Sequence, residues 1–327
     1  MSLHDGTNGG SSVRELRTPQ GSSITLPIQW NLRLYAATPI ALLHDALAED
    51  GVDPSPALAA AGLSLAQARS PETLISPQQL LDACKAISSM GMEAPFAFRS
   101  GLRTRLTYFG MYGFALMSAP DMRTMLQFAV EQQALKASLV RLWAQRRGGE
   151  VAIGVDPLSH LDMDLRLYRF LVEMHFGLIH RGWCDLTGVD FTPLRLCVTF
   201  PQCASTREVA ASLNVDILYE QQVNALVFNA SWLDVRPQFG NLIAHDSVRN
   251  VCANLAAQLK EQSGLAGRIG ESMVTQYGRI PSVRGMASAL GMSEREVRRK
   301  LRAEGTSYRE IYDDVRSQVA MKYLRDT

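Results

Sequence analysis

The sequence lacks a long hydrophobic run. None of its 327 residues belongs to a continuously apolar stretch of about 18 or more, the length that a transmembrane helix needs. Met1 to Ser12 is polar and rich in glycine, without the apolar core of a secretory signal. We therefore expect a cytoplasmic protein with no membrane partner, and we expect residues 1–26, rich in Gly, Ser and Thr, to form a disordered leader.

Cysteine is scarce and irregularly spaced. The five cysteines are Cys84, Cys184, Cys197, Cys203 and Cys252. Their odd number and the lack of any Cys-x-x-Cys pair argue against a disulfide framework and against a zinc ribbon. Cys197 and Cys203 flank the end of a predicted strand, where we expect buried or neutral thiols rather than metal ligands. We predict no metal site and no cofactor.

The chain also lacks a strong excess of charge, since 33 basic residues face 32 acidic ones. The distribution is less even. Residues 268–327 contain 12 Lys and Arg against 8 Asp and Glu, whereas the remainder contains 21 against 24. A small basic excess at the C-terminal end is what we expect where a domain contacts a polyanion. The length is sufficient for two domains.

The first two thirds of the chain predict an α+β domain. Thr38-Pro39 and Ser76-Pro77 each read as a cap residue followed by proline at the first helical position. The glycine-interrupted segment Tyr108–Met117 fits either a buried helix or a loop and strand. Periodicity further predicts a helix after Pro120, strands at Ala137–Gln145, Glu150–Val155, Leu194–Phe200 and Ala225–Phe228, a hairpin connection at Arg146–Gly149, and helices at Leu165–His180 and Arg207–Leu213.

A helical connector and a helix-turn-helix pattern follow. The connector is predicted at Phe239–Gln262 and the domain boundary at Ser263–Gly267. Beyond it, Ser282 can cap a helix that ends at Gly291. Ser293 can cap the next helix, with Glu296 three residues later completing a capping box. Two helices joined by a short glycine-containing turn are typical of the helix-turn-helix.

The second of these helices has two distinct faces. Val297 and Leu301 are four residues apart and are predicted to point inward. Four arginines share the opposite face at helical spacing, and these are Arg295, Arg298, Arg299 and Arg302. Such a cluster suits phosphates and guanine edges, which arginine recognises bidentately. The alternative is a solvated face balanced by Glu294, Glu296 and Glu304; the capped helix in front favours nucleic acid.

The segment from Ser293 to Tyr308 resembles the first helix-turn-helix of AraC-type transcription regulators, with Val297 where leucine is usual. Asp314-Val315-Arg316, on the apolar-faced helix that begins near Tyr308, resembles the family's linking helix. The resemblance implies an all-α domain that binds double-stranded operator DNA. It assigns the DNA-contact surface to six residues: Ser293, Arg295, Arg298, Arg299, Lys300 and Arg302. Of these, Arg295, Arg298 and Arg299 are implied to contact bases, and Lys300 and Arg302 to contact phosphates.

The N-terminal region resembles regulators of this family that carry an arabinose-binding-type sensor domain. The resemblance rests on Phe109–Leu116 with its Gly-x-x-Gly spacing, on Ser118-Ala119-Pro120, on Gly148-Gly149 and on Asn224–Phe228. It implies a small-molecule effector, a homodimer with Phe239–Leu259 as a partner surface, and possible contact with RNA polymerase. The implied domains are an effector-sensing and dimerisation domain at 27–235, a connector at 236–267 and a partial helix-turn-helix domain at 268–327.

The family's second helix-turn-helix is expected after Leu324, and the printed sequence ends at Thr327. The resemblance therefore implies that half of the DNA-contact surface is missing. With one unit, we expect binding near non-specific strength, on the order of micromolar or weaker at physiological salt.

An enzyme and a protein that does not bind DNA are the two alternative classes of function. The sequence contains no nucleophile elbow, phosphate loop or His-Glu zinc motif that would indicate an enzyme. Glu173, His175, His180 and Cys184 lie close in sequence, but core and surface positions of one helix are the favoured interpretation, so no catalytic residue is predicted. Met111–Met117 fits core packing better than the lining of an apolar ligand pocket. The alternative to a DNA-binding regulator is a dimerising adaptor or ligand-binding protein with a vestigial DNA-binding domain.

Overall fold

The structure is a computed structural model that describes residues 30–91, 95–158, 160, 162–275, 281–313 and 315–316. The leader predicted at residues 1–26 lies outside the described residues. Among those that are described, no helix is both long enough and apolar enough to cross a membrane.

The N-terminal part begins with a short strand pair and seven helices. The strands are β1 (Tyr35–Ala36) and β2 (Leu74–Ile75), which pair antiparallel. The helices are α1 (Thr38–Glu49), α2 (Ser55–Ala61), α3 (Leu65–Ala68), α4 (Pro77–Ser89), α5 (Phe96–Arg103), α6 (Gly110–Ser118) and α7 (Met122–Glu131). The glycine-interrupted segment is therefore helical, since α6 follows a 3-10 turn at Leu106–Phe109.

The two predicted proline-containing helix starts differ. Ser76 caps α4, because its Oγ accepts from Gln79 N–H at 3.3 Å and the Gln79 side chain accepts from Ser76 N–H in return. The prediction that Thr38 caps α1 is wrong. The residue before α1 is Ala37, which makes no side-chain cap bond, and Thr38 is already helical. Pro39 is thus the second residue of the helix. Backbone N–H groups in the first turn have no partner within the helix, so the missing N–H of the proline costs no hydrogen bond.

A five-stranded sheet follows, with the order β3-β4-β7-β5-β6. Its strands are β3 (Val140–Arg147), β4 (Glu150–Pro157), β5 (Arg195–Cys197), β6 (Asp216–Leu218) and β7 (Ala225–Asn229). Among these five strands, only β5 and β6 pair parallel. The predicted four-residue hairpin connection is wrong, because Arg146 and Arg147 continue β3 and the turn is Gly148-Gly149 alone. Gly148 takes the positive φ of 55° that such a tight turn favours.

Helix α8 (Leu165–Thr187) runs seven residues beyond its predicted end. Asp164 caps its N-terminus, because the Asp164 carboxylate accepts from Leu167 N–H at 2.8 Å, and Gly188, in the left-handed conformation, caps its C-terminus. Helix α5 packs on it backbone to backbone. A Cβ added to Gly101 would lie 2.0 Å from the Met174 carbonyl oxygen, so only glycine permits this approach. Helix α9 (Ala204–Leu213) follows and precedes β6.

Among its described residues, the C-terminal third contains helices α10 (Leu242–Gln262), α11 (Gly264–Thr275), α12 (Val283–Ala289) and α13 (Glu294–Ala303). Ser263–Gly267, where the domain boundary is predicted, contains the residue between α10 and α11 and the first turn of α11, and the boundary stays a prediction. Val248 and Cys252 of α10 are buried in the large first core, whereas a separate second core begins at Leu265 and includes Val315. Residues 308–313 are helical. The mixed architecture of helices and strands predicted from the sequence is confirmed.

Candidate functional sites

The first candidate site is the exposed face of α13. Ser282 Oγ accepts from Gly285 N–H at 3.2 Å and thereby caps α12. Gly291 ends the turn region with a φ of 66°, and Ser293 Oγ accepts from Glu296 N–H at 3.2 Å. The predicted capping box is only half formed. Among the described residues, Glu296 does not return a bond to Ser293 and instead lies 3.5 Å from the Lys300 ammonium.

The structure brings the four predicted arginines to the surface together. Val297 and Leu301 are fully buried on the inner side of α13, so the helix is oriented by its apolar residues. Arg295, Arg298, Arg299 and Arg302 are exposed. Arg298 lies 3.9 Å from Glu294, a weak pair at the surface. In the described part of the chain, no carboxylate lies within ion-pair distance of the other three guanidinium groups.

Glu304 does not balance this face, contrary to the solvated-face alternative. Its two carboxylate oxygens accept from the backbone N–H groups of Leu265 and Ala266 at 2.9 and 2.8 Å. These are the first N–H groups of α11, which have no partner within the helix. A Cβ at Gly264 would come within 2.7 Å of the same carboxylate. Glu304 thus ties the end of α13 to the start of α11. Sequence reasoning missed this role because the partners lie 39 and 38 positions away.

The second candidate site is a cavity in the N-terminal part. It lies between α1, α4, α5 and α8 and is closed on one side by residues 136–139, which lead into β3. The cavity is partly open to solvent, and its enclosed part is small, with a volume of about 70 Å³. Its walls are mostly apolar, with leucines from α1, α4, α8 and the segment before β3, while α5 and the residue after it contribute the hydroxyl groups of Ser100 and Thr104.

Lys136 is the one cation among the residues that line this cavity. Its Nζ lies 5.3 Å from the centre of the Phe109 ring and 5.8 Å from that of Tyr112, which is cation–π distance. Within the described part of the chain, no carboxylate lies within ion-pair distance of it. Burial of the ammonium lowers the pKa of Lys136 to about 8.

His175 of α8 faces the same cavity and is buried. Its Nδ1 lies 2.8 Å from the Leu171 carbonyl oxygen, so that nitrogen carries the proton and donates it. Burial, and then the positive charge of Lys136, lower the pKa of His175 to about 3. The imidazole is therefore neutral and leaves Lys136 as the charged group of the cavity.

The four residues weighed as a catalytic group do not converge. His175 faces the cavity, whereas the Glu173 carboxylate accepts from the Ser205 hydroxyl of α9. Positions two apart on a helix point in nearly opposite directions. His180 Nδ1 lies 3.9 Å from Cys184 Sγ, one turn further along α8. The group is therefore spread over different faces of α8.

The other sequence-level candidates have structural roles. Cys197 is buried on β5, and Cys203 Sγ lies 3.5 Å from Thr206 Oγ1 at the start of α9. In the described part of the chain, no three His, Cys, Asp or Glu side chains group closely enough to hold a metal ion. Tyr112 and Leu116 of α6 are core residues, while Met111 and Phe114 are exposed. None of the residues Met111–Met117 lines the cavity described above. The lining residue nearest to them in sequence is Phe109.

Comparison with known proteins identifies the family. Residues 51–237 match the family described as the arabinose-binding domain of AraC transcription regulators, at their N-terminus. That is more than half of the chain. The chain belongs to the AraC family of transcription regulators. This AraC-type chain is accordingly a regulator and not an enzyme, as the sequence predicted.

Relatives of this AraC-type regulator match along most of its length. It is 25% identical to an ornithine utilization regulator of Pseudomonas aeruginosa, over 92% of this chain and 88% of that protein. It is 24% identical to an uncharacterized HTH-type transcriptional regulator of Mycobacterium tuberculosis, over 85% and 81% of the two chains. Its fold is similar to the crystal structure of the transcriptional regulator CdpR from Pseudomonas aeruginosa, with a TM-score of 0.51, 20% identity, and 87% and 85% coverage.

Proposed function

We propose that this AraC-type regulator binds duplex DNA sequence-specifically through α13 and that a small molecule bound in its N-terminal part controls this binding. One observation carries the DNA-binding half. Arg295, Arg299 and Arg302 stand exposed without carboxylate partners among the described residues, on a capped helix whose inner side is anchored by Val297 and Leu301. Cations left unpaired on one face are suited to the closely spaced phosphates and base edges of DNA.

The residues of this face have distinct roles in the proposal. Arg295, Arg298 and Arg299 contact base edges, because a guanidinium donates two parallel hydrogen bonds to guanine O6 and N7. Lys300 and Arg302 contact phosphates, which position the helix but carry no sequence information. Ser293 belongs to the surface as the cap that fixes where α13 begins. Arg298 exchanges its weak contact with Glu294 for a DNA contact on binding.

The proposed domains are an effector-sensing and dimerisation domain at 27–235, a connector at 236–267 and a DNA-binding domain that begins at 268. The connector is packed against a core at each of its ends. Val248 and Cys252 anchor α10 in the first core, and Glu304 anchors the start of α11 to the end of α13. A shift of α10 caused by an effector would therefore be transmitted to the arginine face.

A homodimer forms part of the proposal. Phe239, Leu242 and Ile243 lie at the start of α10 and are 64%, 59% and 80% exposed. Three large apolar side chains exposed within five positions mark an interaction surface rather than ordinary scatter. A second copy is the fitting occupant, because pairing at the connector joins two arginine faces in one assembly, and a dimer reads two half-sites. Cytoplasmic location stays a prediction from the sequence, and contact with RNA polymerase stays a prediction from the family resemblance.

The experiment that tests the function selects DNA with the whole chain. The protein is incubated with a library of random duplexes at low salt, and the bound fraction is amplified and sequenced over several rounds. A DNA-binding regulator enriches a motif, and its affinity for that motif falls steeply with added salt. A dimerising adaptor or ligand-binding protein with a vestigial DNA-binding domain enriches none. The absence of enrichment, together with the absence of salt-dependent binding to any duplex at low salt, would replace the proposal with that alternative.

A further inference from the structure

The cavity of the N-terminal part combines mostly apolar walls with a single positively charged side chain. Leu43, Leu80, Leu139, Leu171 and Leu178 contribute to walls that are otherwise mostly apolar. The lining residues include one cation, Lys136, and no carboxylate. Lys136 is half-buried, and an ammonium that has lost part of its water without gaining a counterion is disfavoured, because the rings of Phe109 and Tyr112 replace only part of that water. The cavity is therefore complementary to a ligand with one negative charge.

The hydrogen-bond donors of the cavity indicate which anion fits. The hydroxyl groups of Ser100 and Thr104 donate to the carbonyl oxygens of Phe96 and Ser100 at 2.9 and 3.1 Å. Ser138 Oγ donates to the Val140 carbonyl, and His175 Nδ1 donates to that of Leu171. Apart from the weak Cys84 thiol, Lys136 therefore supplies the free side-chain donors among the described lining residues.

A single ammonium matches a carboxylate better than a phosphate. A phosphate carries up to two charges and several strong acceptor oxygens, which proteins usually meet with several donors or with arginine. A carboxylate carries one charge and can be satisfied by the N–H groups of one lysine. Because the walls are mostly apolar, the rest of the ligand should be apolar as well.

We propose that this cavity is the effector site and that it binds an apolar monocarboxylic acid, with the carboxylate on the Lys136 ammonium and the apolar body among the leucines. The regulatory part of this inference rests on the proposed function, while the binding site itself does not. The carboxylate replaces the missing counterion, and the ligand's apolar part leaves water at the same time.

The pH dependence of binding follows from the groups that face Lys136. His175 of α8, Cys84 of α4 and Tyr112 of α6 stay uncharged between pH 7 and 10, because burial lowers the pKa of His175 to about 3 and raises those of Cys84, to about 12, and Tyr112. The pKa of Lys136, about 8, falls inside that window. Affinity for the carboxylate should thus be highest near pH 7 and decrease about tenfold per unit well above pH 8.

The test is calorimetric titration of the whole chain with a panel of probes at pH 7. The acids are hexanoate, decanoate and 4-phenylbutanoate, and the neutral control is 1-decanol. We expect at least one acid to bind, and Lys136→Met to weaken it at least about tenfold. Binding of 1-decanol should persist in Lys136→Met, which shows that the cavity is still folded. Lys85→Met, which removes an equal charge from the surface of α4, should leave acid binding unchanged.

Three results would overturn the site: no acid in the panel binds, Lys136→Met binds the acid as tightly as the parent, or Lys85→Met weakens binding equally. DNA binding is measured separately by anisotropy without any acid. If DNA binds and no acid does, the effector inference fails while the proposed DNA-binding function stands. If an acid binds through Lys136 and no duplex is selected, the cavity assignment stands and the DNA-binding function fails.

Discussion

The carboxylate of Glu304 accepts a hydrogen bond from the backbone N–H of Leu265, across 39 positions of the chain. Together with the bond from Ala266, this contact closes the N-terminal end of α11 with a residue that directly follows α13. A negative charge at a helix N-terminus also interacts favourably with the helix dipole. Glu304 therefore links the arginine-bearing helix to the connector through a single side chain.

Loss of this link gives the first prediction. Glu304→Ala leaves two N–H groups of α11 without their acceptor and should cost about 1 kcal/mol of the second core's stability. Hydrogen exchange of the amides of Leu265 and Ala266 should accelerate. Glu294→Ala removes an equal charge near the opposite end of α13 and serves as the control. Equal protection of both amides in the parent and in Glu304→Ala would show that the contact is not formed in solution.

The cap at the start of α13 gives the second prediction. Ser293→Ala removes the oxygen that accepts from Glu296 N–H, with an expected loss of about 1 kcal/mol of local stability. Faster hydrogen exchange across residues 294–298 is the readout. Ser288→Ala, at an exposed position of α12, is the matched control and should leave these amides unaffected. Unchanged exchange in the Ser293 variant would remove Ser293 from the site.

Glu173 gives a prediction about pH. Its side chain is buried, one carboxylate oxygen accepts from Ser205, and the other has no hydrogen-bond partner among the described residues. Burial raises the pKa of Glu173 to about 7, against 4.5 for an ordinary glutamate. A raised carboxyl pKa means that the folded state holds a proton that the unfolded state releases. Stability is therefore lost as the pH rises from about 4.5 through 7.

Glu173→Gln keeps an acceptor for Ser205 and cannot ionise. At pH 8 it should be more stable than the parent by on the order of 2 kcal/mol, and near pH 4.5 this advantage should vanish. Urea unfolding at both pH values measures the difference, in which the other titrating groups cancel. Glu208→Gln on the exposed side of α9 is the control. An advantage of the same size at both pH values would contradict the buried ionisable carboxyl.

The proposed dimer gives the fourth prediction. Ile243→Asp places a charge in the exposed apolar surface at the start of α10, and burying an unpaired charge at an interface is strongly unfavourable. Sedimentation equilibrium should show a dimer for the parent and a monomer, or a dimer at least about tenfold weaker, for the variant. Val189→Asp makes the same change at another exposed apolar position and should leave the dimer intact. A monomeric parent at micromolar concentration would refute the interface.

Sequence periodicity predicted long or strongly patterned elements well. The buried Val297 and Leu301 and the exposed arginines of α13 follow directly from spacing within one helix. The short elements β1, α3 and β6 contain four residues or fewer each, too few for a periodic signal. The end of α8 was missed because Gly182 lies inside the helix and Gly188 ends it.

The two features that depend on distant contacts could not be read from local patterns. Glu304 resembles any surface glutamate until α11 is seen beside it. Lys136 lies in a segment without periodicity, and its importance comes from the four helices that enclose it. The roles of both residues depend on contacts with distant parts of the chain. The arginine face, in contrast, follows from helical spacing within ten consecutive residues.

The most direct test of the central claim compares Arg299→Ala with Arg302→Ala in anisotropy titrations at low salt, on the selected duplex and on a scrambled one. Arg207→Ala, an exposed arginine of α9, is the charge-matched control. Arg299→Ala should lose about 1–3 kcal/mol on the selected duplex and little on the scrambled one, because a base contact carries specificity. Arg302→Ala should weaken both equally and reduce the salt slope by about 1. If both variants bind the two duplexes as the parent and Arg207→Ala do, α13 is not the DNA-contact helix.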